Sequence, residues 1–218
     1  MQKSVLKAVA LAALACAGMN AQAQDVYAGV GLPNIYSLGY AHPVSQYWGF
    51  RGEYAGGTSR DFSGTDSGVN YTGNFKSSRA GVFADWFAFG GGFRFVGGLT
   101  VNDTKMDINS TGSGTATING KTVPMAGSYF NVRAKYPDVT PYLGIGYGHH
   151  MADKGLGFYF DLGVTLGSFT TDVNTNLVAN FPGVISQNDV NVQKQKMNDS
   201  LANYTLLPNL SIGMVYRF

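Results

Sequence analysis

Gly155-Leu156-Gly157-Phe158-Tyr159-Phe160-Asp161-Leu162-Gly163-Val164-Thr165-Leu166-Gly167 is the stretch that decides the fold. Leu156, Phe158, Phe160, Leu162, Val164 and Leu166 alternate without an error with Gly157, Tyr159, Asp161, Gly163, Thr165 and Gly167. A period of two puts the first set on one face of a strand and the second on the other. A helix would scatter both sets around its axis. The segment therefore reads as a long strand with one apolar face and one small or polar face.

The last segment repeats the pattern. Leu206, Pro208, Leu210, Ile212, Met214, Tyr216 and Phe218 share one face, and Asn209, Ser211, Gly213, Val215 and Arg217 share the other. Shorter runs follow the same rule. Trp48, Phe50, Gly52 and Tyr54 alternate with Gly49, Arg51 and Glu53. Ala80, Val82, Ala84 and Trp86 alternate with Arg79, Gly81, Phe83 and Asp85. Phe93, Phe95, Leu99 and Val101 alternate with Arg94, Gly98, Thr100 and Asn102, and Leu143, Ile145 and Tyr147 with Gly144, Gly146 and Gly148. Residues 25–32 and 35–41 make two shorter strands around Pro33-Asn34.

These segments predict an all-β chain of about eight antiparallel strands closed into a transmembrane barrel. With the first strand starting in the periplasm, residues 42–46, 88–92 and 151–154 become short periplasmic turns. Residues 56–76, 103–138 and 168–203 become long outer loops, and only the first outer connection, at Pro33-Asn34, is short. The alternation of short and long connections is independent of the face pattern, and both give one topology. Residues 186–201 read either as a flexible polar loop or as a short helix, because Ser186 and Asp189 have the spacing of a capping arrangement. Aromatic residues near strand ends (Tyr47, Trp48, Trp86, Phe87, Tyr142, Tyr147, Tyr216, Phe218) read as interfacial girdles.

Composition agrees. Charged residues make up 13% of the chain, about half of the ~25% usual for soluble domains. Glycine is abundant at 30 residues, aromatics reach 13%, and the mean hydropathy is −0.03. A barrel that is apolar on one face only has this profile. Residues 1–23 read as a secretory signal: Lys3 and Lys7, an apolar run, then Ala21-Gln22-Ala23 as the small-x-small cleavage site. Residues 24–218 would then be the outer-membrane barrel. The uninterrupted apolar run at 8–18 is about half of the ~20 residues a spanning helix needs. A lipoprotein anchor at Cys16 would want a branched aliphatic residue where Ala13 stands. The net charge of +2 falls to nearly zero without the leader lysines, so nucleic acid is not an expected partner. Cys16 is the single cysteine, so the mature chain should lack thiolate and disulfide chemistry.

Arg51, Glu53, Arg79, Asp85, Arg94, Asp161 and Arg217 all fall on the lumen phase. An eight-stranded barrel is just wide enough for side chains to fill, and an unpaired buried charge is expensive. A structural charge network is therefore expected. The alternative is an ion path, in which an excess of arginine over acids would favour anions. A tight turn at 88–92 would set Trp86 opposite Phe93 and Asp85 opposite Arg94, with Arg217 nearby. Adjacent strand residues point to opposite faces, so His149-His150 reads as a solvated turn rather than a metal site. His42 has no recognisable serine and acid partners for acyl transfer. Gly29/Gly31 and Gly144/Gly146 read as small inward residues rather than a nucleotide fingerprint. No enzyme activity, catalytic residue, metal or cofactor is expected.

The chain ends Met214-Val215-Tyr216-Arg217-Phe218. A terminal Phe218 preceded by alternating apolar residues, Tyr216 among them, looks like the signal read by the outer-membrane assembly machinery. With the leader, the strands and segments such as Pro141-Tyr142-Leu143-Gly144-Ile145-Gly146-Tyr147-Gly148, the mature chain resembles the small outer-membrane barrel superfamily, the OmpA/OmpX/OmpW-like proteins. The resemblance implies a Gram-negative outer-membrane location and partners in outer-membrane lipid, lipopolysaccharide and the assembly machinery. OmpA members of the superfamily often carry a periplasmic peptidoglycan-binding domain after the barrel, and none is expected here because the sequence ends at Phe218. The functional expectation is a structural or surface-interaction role through the outer loops, with an unknown extracellular partner. A narrow channel for small or apolar solutes is the alternative.

Overall fold

The computed structural model describes residues 24–149 and 154–218. The expected leader, His150 and most of the 151–154 turn lie outside the described residues.

Eight strands close into a ring. They are β1 (Asp25–Leu32), β2 (Tyr36–Pro43), β3 (Trp48–Asp66), β4 (Val69–Trp86), β5 (Phe93–Gly112), β9 (Val139–Tyr147), β10 (Gly155–Leu166) and β12 (Leu206–Arg217). All pairings are antiparallel. β1 joins β12 from Asp25↔Arg217 to Leu32↔Leu210, and β5 joins β9 from Phe93↔Tyr147 to Val101↔Val139. The ring therefore has no free edge within its belt, which is the condition for a sheet to cross lipid. Outward residues such as Val30, Leu38, Phe50, Val82, Leu99, Leu143, Phe158 and Ile212 are exposed, Phe158 by 73%. Such an apolar belt is stable only when something other than water covers it. No described helix is long and apolar enough to cross a membrane.

Inward positions carry the buried residues. Tyr27, Phe83, Tyr142 and Tyr159 fill the interior beside the charged groups. Gly29 leaves room for a ring: a Cβ there would overlap the Tyr159 hydroxyl.

The three long outer connections are present, and much of their length is folded. β3 and β4 run straight through residues 56–76 as a hairpin, with a bulge between Ala55 and Thr58. Its tip, Ser67-Gly68, has positive φ at both residues, 51° and 77°, the geometry of a type I′ turn. β5 likewise continues beyond the belt and pairs there with β8 (Tyr129–Lys135), which pairs with β11 (Thr170–Thr175). β11, β8, β5, β4 and β3 thus form an extended wall, while β1, β2 and β12 stop lower. A small hairpin of β6 (Thr115–Ile118) and β7 (Lys121–Pro124) and the helices α1 (Leu177–Asn180) and α2 (Gln187–Ala202) complete a folded cap. Val69, Ile118, Val123, Met125, Leu177, Ile185 and Val190 form its own apolar core.

The helical alternative for residues 186–201 is the observed one. Ser186 is the N-cap of α2: its hydroxyl accepts from the Asp189 amide, and the Asp189 carboxylate accepts from the Ser186 amide. The aromatic girdle is only partly as expected. Trp48 and Trp86 are exposed and stack with centroids 6.3 Å apart. Phe87 and Tyr142 are instead buried, at 1% and 4% exposure, because both lie on the inward phase.

Candidate functional site

The lumen is built in layers. At the end of the barrel where β1 begins and β12 finishes, Arg217 on β12 grips Asp25 on β1 with two bonds, Nε–Oδ1 at 2.7 Å and Nη2–Oδ2 at 3.0 Å. The strands that close the ring place these residues opposite each other. Arg217 also donates to the His149 carbonyl at 3.3 Å.

His149 itself is a correction. It is 2% exposed rather than solvated. Its backbone is left-handed, with a φ of 59°, and its ring packs between Tyr27 and Tyr159, centroids 4.4 and 4.9 Å away. Aromatic contact replaces water around it.

The next layer joins four strands. Arg51 on β3 reaches Asp85 on β4 at 2.7 Å and Asp161 on β10 at 3.2 Å. Arg94 on β5 reaches Asp161 at 2.5 Å and Asp85 at 3.6 Å, and donates to the Gly148 carbonyl at 2.8 Å. These four side chains are 0–7% exposed. Gly146 is small for a reason visible here, since a Cβ on it would strike the Asp161 carboxylate.

The expected Asp85–Arg94 register needs correcting. Asp85 lies opposite Val96, and Trp86 opposite Phe95. Phe93 instead lies opposite Tyr147. Phe87 folds inward after β4, with its amide donating to the Tyr47 carbonyl at 2.9 Å, so the turn takes up more chain before pairing begins. A slip of two keeps both charges on the inner face but leaves them diagonal, and Arg94 sits closer to Asp161. Arg217 does not join this group, because Asp25 holds it.

Above lies a third layer. Arg79 reaches Glu53 at 2.6 Å and the Asn209 amide oxygen at 2.6 Å. Tyr27 links the layers by donating to Glu53 at 3.3 Å while accepting from Arg51 at 3.4 Å. The guanidinium of Arg51 lies 5.1 Å from the Phe83 ring centroid, and that of Arg79 lies 5.4 Å from the Tyr142 centroid. A cavity of about 20 Å³ remains, bordered by Ser37, Glu53, Arg79, Asn209 and Ser211; this is room for about one water molecule. Higher still, Thr100, Thr140 and Asn102 bond to one another across β5 and β9.

The sequence-level excess of arginine over acids disappears here. Arg51, Arg79, Arg94 and Arg217 face Asp25, Glu53, Asp85 and Asp161. Asp25 was missed because it opens the first strand, beside the expected cleavage site. Its lumen phase, shared with Tyr27 and Gly29, was the signal that could have found it. At the same end of β12 but on its outward face, the Tyr216 and Phe218 rings meet with centroids 5.0 Å apart. The Phe218 amide donates to the Gln24 carbonyl at 3.1 Å. His42 lies in β2 opposite Phe50, apart from the buried lumen groups. Among the described residues, no group of three or more His, Cys, Asp and Glu side chains is placed to hold a metal.

No family model matches the chain, and no curated protein matches it in sequence. Among solved structures it is similar to Acinetobacter baumannii CarO, with a TM-score of 0.55 and 19% identity over 89% of this chain and 97% of that one. It is also similar to Acinetobacter baumannii CarO2, with a TM-score of 0.59 and 19% identity over 91% of this chain and all of that one. At such identity the likeness is one of fold. With its closed ring of eight antiparallel strands and its apolar outer belt, the chain has the fold of the small outer-membrane β-barrels.

Proposed function

We propose that this is a non-enzymatic barrel of the Gram-negative outer membrane whose lumen is closed by side chains and whose folded cap meets partners outside the cell. The observation that carries the reading is the Arg51–Asp85–Arg94–Asp161 cluster, which ties β3, β4, β5 and β10 together across the interior. Each charge has an opposite charge beside it, so the groups are compensated in place of water. An arrangement with matched charges has no surplus to attract a permeant ion. The cap supports the second half of the reading, because a self-contained apolar core and a capped helix give the outer surface a fixed shape.

Solute uptake tests the first half. Liposomes carrying the purified protein should swell in small sugars or amino acids no faster than empty liposomes. Swelling that depends on the protein would instead favour the narrow-channel reading.

A further inference from the structure

The outward face of the extended wall changes chemistry in steps. On β5 the outward residues run Phe95, Gly97, Leu99 and Val101, then Asp103, Lys105, Asp107, Asn109 and Thr111. On β4 they run from Trp86, Ala84, Val82 and Ala80 to Lys76, Asn74, Thr72 and Asn70. On β8 they run Lys135, Arg133, Asn131 and Tyr129. The register aligns these steps into rows. Lys76 lies opposite Lys105, and Lys105 opposite Lys135. Further out, Thr72 lies opposite Asn109, Asn109 opposite Asn131, and Asn131 opposite Asn174.

Like charges placed directly opposite on a sheet destabilise it, so a row of three lysines calls for an anion. Asp103 lies 3.2 Å from Lys105, and Asp138 lies 2.7 Å from Lys135. Two carboxylates beside three ammonium groups leave the row positive. In the next row Arg133 is held by Asp107, Lys194 by Asp172, and Asp61 accepts from Asn74. The amides and hydroxyls around them offer both donors and acceptors. Asp61, Ser63, Thr72, Asn74 and Asn109 border an open groove of about 420 Å³ there.

On β4 and β5 the order is apolar, then a charged band that carries the lysine row, then amide and hydroxyl, and β8 joins from the charged band outward. A phosphorylated glycolipid standing in the outer leaflet presents acyl chain, phosphate, then sugar in the same order. We propose that this face is a glycolipid seat. Leu99, Val101 and Val82 meet acyl chains, Lys76, Lys105 and Lys135 hold phosphate, and Thr72, Asn109 and Asn131 bond to sugar hydroxyls. The inference rests on the outer-membrane placement and not on a closed lumen.

Native mass spectrometry of the protein purified from outer membranes tests it. The probes are bisphosphorylated lipid A, dephosphorylated lipid A, lipid A carrying inner-core sugars, and phosphatidylglycerol. Bisphosphorylated lipid A should bind about tenfold or more tighter than the dephosphorylated form, given the strength of lysine attraction to anionic headgroups. It should also bind more tightly than phosphatidylglycerol. The triple variant K76Q/K105Q/K135Q should lose the preference for phosphate. N109A/N131A should lose only the gain from core sugars. Equal binding of the two lipid A forms, or of lipid A and phosphatidylglycerol, by the unaltered protein would overturn the proposal even if the variants failed to fold. A triple variant that keeps the preference would overturn it too. Conductance does not enter these readings, so a conducting barrel would leave them unchanged.

Discussion

Arg51 Nε lies 2.7 Å from Asp85 Oδ2, on neighbouring strands, with both side chains at 2% exposure or less. Arg51 lies opposite Phe83 and Asp85 opposite Gly49, so the pair runs diagonally across the inner face. The same guanidinium reaches Asp161 on the far side of the ring. One side chain thus spans the interior, and its neighbours depend on it.

Removing either partner should therefore be costly. Asp85→Ala leaves Arg51 and Arg94 short of a buried counter-charge, a change worth about 3–5 kcal/mol when the site stays dry. Urea unfolding in lipid vesicles should show the loss. A change under about 0.5 kcal/mol, the usual scale of a surface substitution, would mean that water already reaches the pair.

Gly146 and Gly97 make a matched contrast. A Cβ on Gly146 enters the Asp161–Arg94 pair, whereas one on Gly97 meets nothing within 4 Å. Gly146→Val should destabilise by at least about 1–3 kcal/mol, the range for overpacking. Gly97→Val should be nearly neutral in the same unfolding assay. Equal effects would count against a packed lumen at Gly146.

The cap should carry its own pH dependence. Asp189 accepts from Lys121 Nζ at 2.7 Å, from the Ser186 hydroxyl and amide at 2.7 and 2.9 Å, and from Asn119 at 3.0 Å. These bonds, Lys121 first, hold its carboxyl well below the ordinary carboxylate range. A depressed folded value stabilises the cap fully above the unfolded value, about 3.9, and that contribution fades as pH falls towards the folded one. NMR signals of α2 should stay constant from neutral pH to about pH 5 and change only below the unfolded value. Ser186→Ala should weaken the cap by about 1 kcal/mol. A transition of α2 near neutral pH would contradict this assignment.

Phe218 and Tyr216 offer an assembly test. Deleting Phe218 removes the aromatic that closes the outward row of β12 and should lower outer-membrane yield, with aggregates left in the periplasm. Membrane fractions assayed for the folded, heat-modifiable form would report it. Unchanged yield would remove Phe218 from any recognition role.

The legible part of the fold was the part in the belt. β10 and β12 lie against an apolar surrounding on one side only, so their alternation is clean. The wall was illegible because it stands outside that surrounding. Ser59, Asp61, Ser63 and Thr65 face outward there, while Arg60 and Gly64 share the inner phase with Phe62, and the apolar alternation fades. The lumen phase of Arg51, Glu53, Arg79, Asp85, Arg94, Asp161 and Arg217 could be read because period two assigns faces without knowing register. Their partners could not be read, since pairing depends on the register set by the inward fold of Phe87. His149 escaped for a similar reason. A residue in a turn reads as wet until the space between Tyr27 and Tyr159 is known.

Single-channel recording in planar bilayers tests the closed lumen most directly. The unaltered protein should give no steady conductance in simple salt. The double variant Arg51→Ala/Asp161→Ala should give discrete openings, because it removes the side chains that bridge β3, β10 and β5. A stable conductance in the unaltered protein, little changed in the variant, would contradict a lumen closed by this cluster.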